Sequence, residues 1–209
     1  MAFWSTKKPS ATWVDAAFLA IDLELSGLDV RHDCILSVGW CPIDDSGVPL
    51  GQAQHFYFKD GRVKSAAVGI HQITQEMLDA QGVTTEEILS QLSTALKNRT
   101  LLFHHAPLDC GFLHKYWQTY FDQPFDYPAI DTLGLERSIL QQRHQVIPDQ
   151  GLRLSACRQR YHLPDYQQHS ALTDALATAE LFLAQANHLG TGITVAELIK
   201  RSGKRMVFA

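Results

Sequence analysis

Short apolar stretches separated by turn residues characterise the first part of the chain. Residues 17–25 (AFLAIDLEL) form one such stretch, which stops at a Ser-Gly pair. Residues 33–42 and 54–58 form two more, with an Asp-Asp-Ser-Gly turn between them. Runs of this length bounded by turn signals are typical of β-strands, so we expect three consecutive strands in a hairpin or meander.

Apolar residues at helical spacing alternate with short apolar runs in the rest of the chain. The clearest helical patterns cover residues 84–96 and 170–189, where apolar side chains recur every three or four positions. Two further strand-like segments lie at 100–104 and 129–132, and a loop is predicted at 145–151. Further helices are predicted at 108–120, from the end of the second strand through Leu140, at 152–161 and at 195–200. A three-strand meander followed by alternating helices and strands predicts one α/β domain with a mixed sheet.

Length, composition and net charge exclude some classes of protein. The chain has 209 residues, of which 45% are hydrophobic and 19% are charged, and its net charge is −4. These values fit one folded domain, or at most two small ones, and they exclude a disordered protein. A mildly acidic chain does not bind nucleic acid through a broadly basic surface, so any polyanion would have to be held locally or through metal ions.

Targeting signals and cysteines indicate a cytoplasmic protein without membrane association. No apolar run approaches the roughly 20 residues that span a bilayer, and the N-terminus does not resemble a secretory signal. The four cysteines are scattered along the chain, which disfavours a disulfide framework and favours a reducing compartment.

Two acidic residues interrupt the apolar run 17–25. Asp22 and Glu24 are two positions apart, so on a strand both side chains point to one face, about 7 Å apart. Burying both is costly, because each charge loses its hydration and the two repel each other. Either the strand ends there with both carboxylates in water, or the two share a cation such as Mg²⁺ or Mn²⁺.

Asp109, Asp174 and His169 each have an ordinary explanation when taken alone. The two aspartates lie near the starts of predicted helices, where acidic side chains interact favourably with the helix dipole. His169 lies just before the helix that carries Asp174, where a surface histidine is common. Together, however, the four carboxylates can converge at one end of a sheet, where two divalent cations would neutralise them and support phosphoryl transfer.

Three segments resemble the motifs of one enzyme family. Residues 20–29 (AIDLELSGLD), 104–113 (HHAPLDCGFL) and 169–179 (HSALTDALATA) resemble, in order and spacing, the motifs of DnaQ-like 3′→5′ exonucleases of the DEDDh group. This group is similar to the proofreading subunit of bacterial DNA polymerase III and to ribonuclease T. Residues 69–74 (GIHQIT) and 131–132 (DT) resemble two minor features of the same family.

The resemblance implies a ribonuclease H-like α/β fold, in which a mixed sheet of three antiparallel strands and then parallel strands is flanked by helices. It implies an exonuclease domain over residues 17–189, a loosely held segment 1–16 and a short C-terminal extension 190–209. It also implies that His169 is the general base that deprotonates the attacking water. The carboxylates of the same catalytic set would bind two Mg²⁺ or Mn²⁺ ions: Asp22, Glu24, Asp109 and Asp174.

Four residues are candidates for contacts with the terminal nucleotide: Leu25, Ser26, Leu28 and His71. The alternative for the two leucines is ordinary core packing, and the alternative for the histidine is a structural role. The chain departs from the family pattern at four positions, none of which removes a metal ligand: Leu25, Gln72, His105 and Leu108. With Leu108 in place of the usual aromatic residue, stacking on a terminal base is expected to be weaker.

The implied activity is release of nucleoside 5′-monophosphates from the free 3′ end of single-stranded or frayed nucleic acid, with DNA favoured over RNA. Such an enzyme would serve DNA repair, proofreading or nucleic-acid turnover, and a DNA polymerase is a candidate partner. Two alternatives remain open at this point. One is a binding module that keeps the fold without catalysis, and the other is a two-metal phosphatase or phosphodiesterase that acts on small nucleotides.

Overall fold

The computed structural model describes residues 11–45, 47–166 and 170–203, apart from the side chains of residues 66, 67 and 70. The described strands are β1 (Phe18–Leu25), β2 (Ile35–Ile43), β3 (Gln54–Tyr57), β4 (Thr100–Phe103) and β5 (Ala129–Asp131). The described helices are α1 (Ser65–His71), α2 (Gln75–Gln81), α3 (Thr85–Ala95), α4 (Ala106–Phe121), α5 (Thr132–Gln142), α6 (Leu154–Arg160), α7 (Ala171–Leu189) and α8 (Val195–Ser202).

The five strands form one mixed sheet in the order β3-β2-β1-β4-β5. β1 and β3 both run antiparallel to β2, whereas β4 runs parallel to β1 and β5 runs parallel to β4. The mixed α/β fold expected from the sequence is therefore confirmed. Because β1, β4 and β5 are parallel, their carboxyl ends lie along the same edge of the sheet, and α4 and α5 begin soon after β4 and β5.

Strand alternation along β1 divides the core between two layers of helices. The odd-numbered apolar residues of β1 pack in one cluster with buried side chains of α3 and α4. Phe18 and Ala20 pack in the other cluster, with buried side chains of α5, α7 and α8. Asp22 and Glu24 have the same parity as Phe18 and Ala20, so the two-residue repeat of the strand directs them to the face that α7 covers.

Most predicted elements are found, with small shifts at their ends. α4 begins at Ala106 rather than at residue 108, because Pro107 fits the first turn of a helix. α6 occupies the interior of the predicted helix 152–161. α1 and α2 were not predicted, because their sequences (SAAVGIH and QEMLDAQ) do not show a clear apolar repeat.

Outside the predicted domain 17–189, the structure describes residues 11–16 and 190–203. Leu198 of α8 is fully buried in the same apolar cluster as Phe182 of α7. Residues 1–10 of the predicted N-terminal segment, Ser46 of the predicted turn and residues 204–209 lie outside the described residues. Among the described helices, none is both long and apolar enough to cross a membrane, and all four cysteines are free.

A close backbone contact at Gly39 sets the position of α7 against the sheet. Gly39 pairs with Asp22 across β1 and β2. A Cβ atom at Gly39 would lie 2.3 Å from the backbone carbon of Ala171 and 2.3 Å from the backbone nitrogen of Leu172. The absence of a side chain therefore lets the first turn of α7 lie directly on the strand beside Asp22.

We expect Gly39→Ala to push the start of α7 away from the sheet, because backbone atoms cannot yield as a flexible side chain does. The substitution should lower the free energy of unfolding by about 1–3 kcal/mol or more, measured by urea unfolding. The matched control is Gly51→Ala, where a new Cβ atom would have no heavy atom within 4 Å. Equal stability of the two variants would contradict this account of the contact.

Candidate metal centre

Two carboxylates of β1 and one of α7 form a compact cluster. Ligand oxygens of Asp22, Glu24 and Asp174 all lie within 4.8 Å of one another. β1 supplies the first two on its α7-facing side, and the contact at Gly39 brings the first turn of α7, with Asp174, against them. Glu24 is 8% exposed and Asp174 is 9% exposed. The alternative in which both strand carboxylates point into water is therefore wrong for Glu24.

Asp109 lies next to this cluster but outside the group of three. It is in the first turn of α4 and is 7% exposed. After burial, the charge of Asp109 is the largest cause of the raised pKa of Asp22, ahead of the charges of Asp174 and Glu24. The structure thus brings three of the predicted ligands within reach of one cation and places Asp109 close enough to repel Asp22.

The carboxylates of the cluster oppose ionisation of one another. Burial, followed by the charges of Asp109, Asp174 and Glu24, raises the pKa of Asp22 well above its ordinary value. Burial and the charge of Asp174 raise the pKa of Glu24 to about 7. The pKa of Asp109 is also well above its ordinary value, because of burial and then the charges of Asp131 and Glu24.

This donor set fits a divalent cation. Oxygen ligands from carboxylates are those that Mg²⁺ and Mn²⁺ prefer, and a cation among them removes the repulsion and the cost of burying the charges. The buried cluster is thus explained by a metal better than by the ordinary placement of acids at helix starts, which accounts for Asp109 and Asp174 but not for the two carboxylates of β1.

His169 lies outside the described residues, so its position is not part of the site geometry. The chain on both sides of it is described. Ser170 is the N-cap residue of α7, and its carbonyl oxygen accepts a 2.9 Å hydrogen bond from the Asp174 N–H. Before it, the Tyr166 hydroxyl donates to Glu180 of α7 at 2.9 Å. Both described residues that flank the segment 167–169 in the sequence, Tyr166 and Ser170, thus contact α7.

The four predicted nucleotide contacts differ in their surroundings. Leu25, at the end of β1, is half-buried against the core, as the alternative of ordinary packing predicts. Ser26 is buried and donates to Asp33. Leu28 is 77% exposed, so the core alternative is wrong for it. His71 is buried, and its Nδ1 accepts a 3.0 Å hydrogen bond from the Ile73 N–H.

A cavity of about 710 Å³ opens beside the cluster, and sequence reasoning did not find it. Asp22 and Asp174 line one side of it, and residues 147–155 line much of the rest, together with His104, His105 and Leu133. The sequence predicted only a loop at residues 145–151. No hydropathy signal marks them, because a mainly polar loop acquires a place in a site only through long-range contacts.

His104 attaches this loop to the sheet. Its Nε2 lies 2.9 Å from the carbonyl oxygen of Leu152, and its Nδ1 lies 2.9 Å from the Thr132 hydroxyl. Burial is the main cause that lowers the pKa of His104, which favours the neutral ring. A carbonyl oxygen only accepts, so Nε2–H of the neutral ring donates to Leu152. Nδ1 then shares the single proton of the Thr132 hydroxyl with the carbonyl oxygen of Phe103, which lies 3.1 Å from that hydroxyl.

Asp131, at the end of β5, joins the starts of two helices. Its Oδ1 accepts 3.0 Å hydrogen bonds from the backbone N–H of His105, which precedes α4, and from that of Leu133, in the first turn of α5. His105 has a φ of 77°, a left-handed conformation in which histidine is uncommon. The side chain of Asp131 therefore stabilises the turn that leads to Asp109.

Comparison with known proteins identifies the family. A family model described as Exonuclease matches residues 19–182. The chain belongs to this exonuclease family. The match covers all three motifs up to Asp174 and beyond, so the family expected from the sequence is confirmed.

Curated relatives share this part of the chain. A DNA polymerase III of the PolC type from Thermotoga petrophila is 30% identical over 174 residues, which are 83% of this chain and 12% of that protein. The DNA polymerase III subunit epsilon of Treponema pallidum is 28% identical over 174 residues, which are 82% of this chain and 77% of that protein. The exonuclease-family chain thus spans only a small part of the PolC-type relatives.

Solved structures show the same fold. E. coli exonuclease I in complex with a dA16 oligonucleotide aligns with a TM-score of 0.70 at 20% identity, over 84% of this chain and 42% of that one. A product-bound exonuclease I structure aligns with a TM-score of 0.71 at 19% identity, over 89% and 45% of the two chains. At this identity the likeness establishes the fold of the chain.

Without metal, stability is expected to fall as the pH rises through the titration of the cluster. Between the ordinary pKa of 4.5 and the folded value of about 7, Glu24 keeps a proton in the folded chain that the unfolded chain releases. Above this window Glu24 is ionised in both states, and its ionisation in the folded chain lowers the free energy of unfolding by roughly 3 kcal/mol. Urea unfolding in EDTA between about pH 5 and 8 measures this fall, and Mg²⁺ should restore most stability at the upper end.

Asp22→Asn is the informative variant for this prediction, because it removes one of the repelling charges. In EDTA at about pH 8 it should unfold at a higher Tm than the wild type, and it should gain little from Mg²⁺. Asp45→Asn, at an exposed position, is the matched control and should behave as the wild type does. A metal-free stability that stays level or rises from about pH 5 to 7 would show that the carboxylates do not repel one another as described.

Proposed function

We propose that this chain is a 3′→5′ exonuclease of the DEDDh type that hydrolyses phosphodiester bonds at the free 3′ end of a nucleic acid. The observation that carries the proposal is the buried carboxylate cluster of Asp22, Glu24 and Asp174, with Asp109 beside it, in a chain of the exonuclease family. A binding module gains nothing from such a cluster, since the unneutralised carboxylates only destabilise it.

Two divalent cations, Mg²⁺ or Mn²⁺, are the proposed cofactors. Asp22, Glu24 and Asp174 would hold one of them jointly, and Asp109 would join Asp22 in holding the other. When bound, these ions supply positive charge to the phosphoryl oxygens and to the leaving oxygen. The raised pKa values of the cluster support this assignment, because they indicate carboxylates that need a cation in order to be ionised near neutral pH.

His169 is the proposed general base. In its neutral form it would take a proton from the attacking water, whose oxygen would form the new bond to phosphorus. The bond to the 3′ oxygen of the preceding nucleotide would break, and this oxygen would take up a proton from solvent to become the new 3′ hydroxyl. The product is a nucleoside 5′-monophosphate and a strand shortened by one residue. Support for this role comes from the third motif and from Ser170, the N-cap residue of α7, which follows the histidine directly in the sequence.

The proposed substrate is a single-stranded or frayed 3′ end, with DNA favoured over RNA. Leu25, Ser26, Leu28 and His71 would contact the terminal nucleotide, and the exposure of Leu28 leaves its side chain free to meet a base. Relatives named as DNA polymerase III PolC-type and subunit epsilon support proofreading and a polymerase partner, and exonuclease I, solved with a dA16 oligonucleotide, supports a single-stranded substrate. A cytoplasmic location fits the four free cysteines.

A strand labelled at its 5′ end should be shortened stepwise in the presence of Mg²⁺, because a terminal pocket admits only a free 3′ end. Excess EDTA should stop the reaction, since the carboxylates alone supply no positive charge. The assay compares labelled single-stranded DNA, duplex DNA and RNA on a denaturing gel, with a circular single strand and a nitrophenyl phosphodiester as controls. Cleavage of the circle at a similar rate, preference for the small ester, or undiminished hydrolysis in EDTA would each contradict the proposal.

His169→Ala should reduce kcat by on the order of 10²-fold or more, because a lost general base typically has that effect. Wild-type kcat should rise with pH between roughly 6 and 8 as the imidazole loses its proton, and the variant should lose this dependence. His188→Ala, at an exposed position near the far end of α7, is the matched control. Unchanged pH dependence in His169→Ala, together with loss of Mg²⁺-induced stabilisation, would make the histidine a ligand instead of a base.

A further inference from the structure

Asp33, in the loop between β1 and β2, is a buried carboxylate outside the metal centre. It is 5% exposed. Its Oδ1 accepts hydrogen bonds from the Ser26 hydroxyl at 3.0 Å and from the Lys64 ammonium group. Its Oδ2 accepts a 3.0 Å bond from the Asp29 N–H. These donors, with Lys64 as the main cause, keep the pKa of Asp33 below its ordinary value, so the carboxylate is ionised.

The loop after β1 is folded around this carboxylate. The Ser26 N–H donates to the Cys34 carbonyl oxygen at 3.0 Å, and the Cys34 N–H donates to the Ser26 hydroxyl at 3.0 Å, which closes residues 26–34 at their base. A Cβ atom at Gly27 would lie 2.3 Å from Oδ2 of Asp33. The segment that begins two residues after Glu24 and contains Ser26 and Leu28 is therefore shaped by its contacts with Asp33.

The same carboxylate joins this loop to a second segment. Lys64 immediately precedes α1, and His71 is the last residue of α1. A second contact joins the same two segments, since the Arg62 N–H donates to the sulfur of Cys34 at 3.2 Å. Lys115 of α4, the helix that carries Asp109, donates to the carbonyl oxygen of Asp33 at 2.9 Å. Asp33 is thus the point where three site-bearing segments meet.

We propose that Asp33 is a positioning residue that fixes the distance between the loop carrying Ser26 and Leu28 and the helix carrying His71. The two segments are the walls that would receive the terminal nucleoside, so the inference rests on the proposed function for its catalytic meaning. The ion pair between Asp33 and Lys64 holds these walls together. Neither residue is one of the proposed metal ligands or nucleotide contacts.

Asp33→Asn tests the proposal, because one carboxylate oxygen becomes an NH₂ group that faces the donors of Asp29, Ser26 or Lys64. We expect KM for a single-stranded 3′ end to rise on the order of 10-fold, with kcat and the Mg²⁺ concentration for half-maximal activity within about threefold of the wild type. Lys64→Met should reproduce the KM effect, and the double variant should be no worse than Asp33→Asn, since both changes break one pair. Asp29→Asn, an exposed carboxylate of the same loop, is the matched control.

Amide hydrogen exchange, measured without substrate, separates this proposal from the proposed function. In Asp33→Asn and in Lys64→Met, residues 26–34 and 62–72 should both exchange faster than in the wild type, whereas α3 and α7 should not change. Absence of nuclease activity in the wild-type protein would contradict the proposed function. The exchange measurement would still test whether Asp33 and Lys64 couple residues 26–34 to residues 62–72. Unchanged exchange in 62–72 would overturn the coupling, and faster exchange in both segments with unaltered KM would overturn the positioning role.

Discussion

The structure depends on a concentration of negative charge at the edge of the sheet where the parallel strands end. Asp22 and Glu24 on β1 and Asp174 on α7 lie within 4.8 Å of one another, and burial together with mutual repulsion raises the pKa of the first two. Such an arrangement costs free energy in the isolated chain. The surrounding core, with its two layers of helices on a five-stranded sheet, holds the carboxylates in place against this repulsion. A cation bound among them would remove the repulsion.

Much of this arrangement could be predicted from local sequence. The parity of Asp22 and Glu24 on an apolar strand predicted that both point to one face, and the order of the three motifs predicted the family. Short apolar runs bounded by turn residues predicted the strands, because β1 and β2 are buried on both faces. Apolar residues at helical spacing predicted the longer helices, because each of these buries one face. α1 and α2 escaped prediction, since their sequences show no clear apolar repeat.

The contacts that position the site could not be predicted, because they join residues far apart in the chain. Gly39 has no local signal that α7 lies against it, and its role emerges only from the distance to the backbone of Ala171 and Leu172. The same holds for His104, which connects Thr132 to the carbonyl oxygen of Leu152, and for the ion pair between Asp33 and Lys64. Hydropathy patterns report which faces are buried, but they do not report which polar groups become partners.

Residues 147–155, a loop and the start of α6, contribute to the cavity beside Asp22 and Asp174, yet none of the predicted metal ligands lies among them. One wall of the cavity can therefore change in length and composition while the carboxylates and the sheet that holds them stay fixed. The carboxylates and this wall are thus two separable parts of the same region. A change of residues within 147–155 would alter the shape of the space beside Asp22 and Asp174 without moving either carboxylate, as long as an anchor such as His104 keeps the segment attached to the sheet.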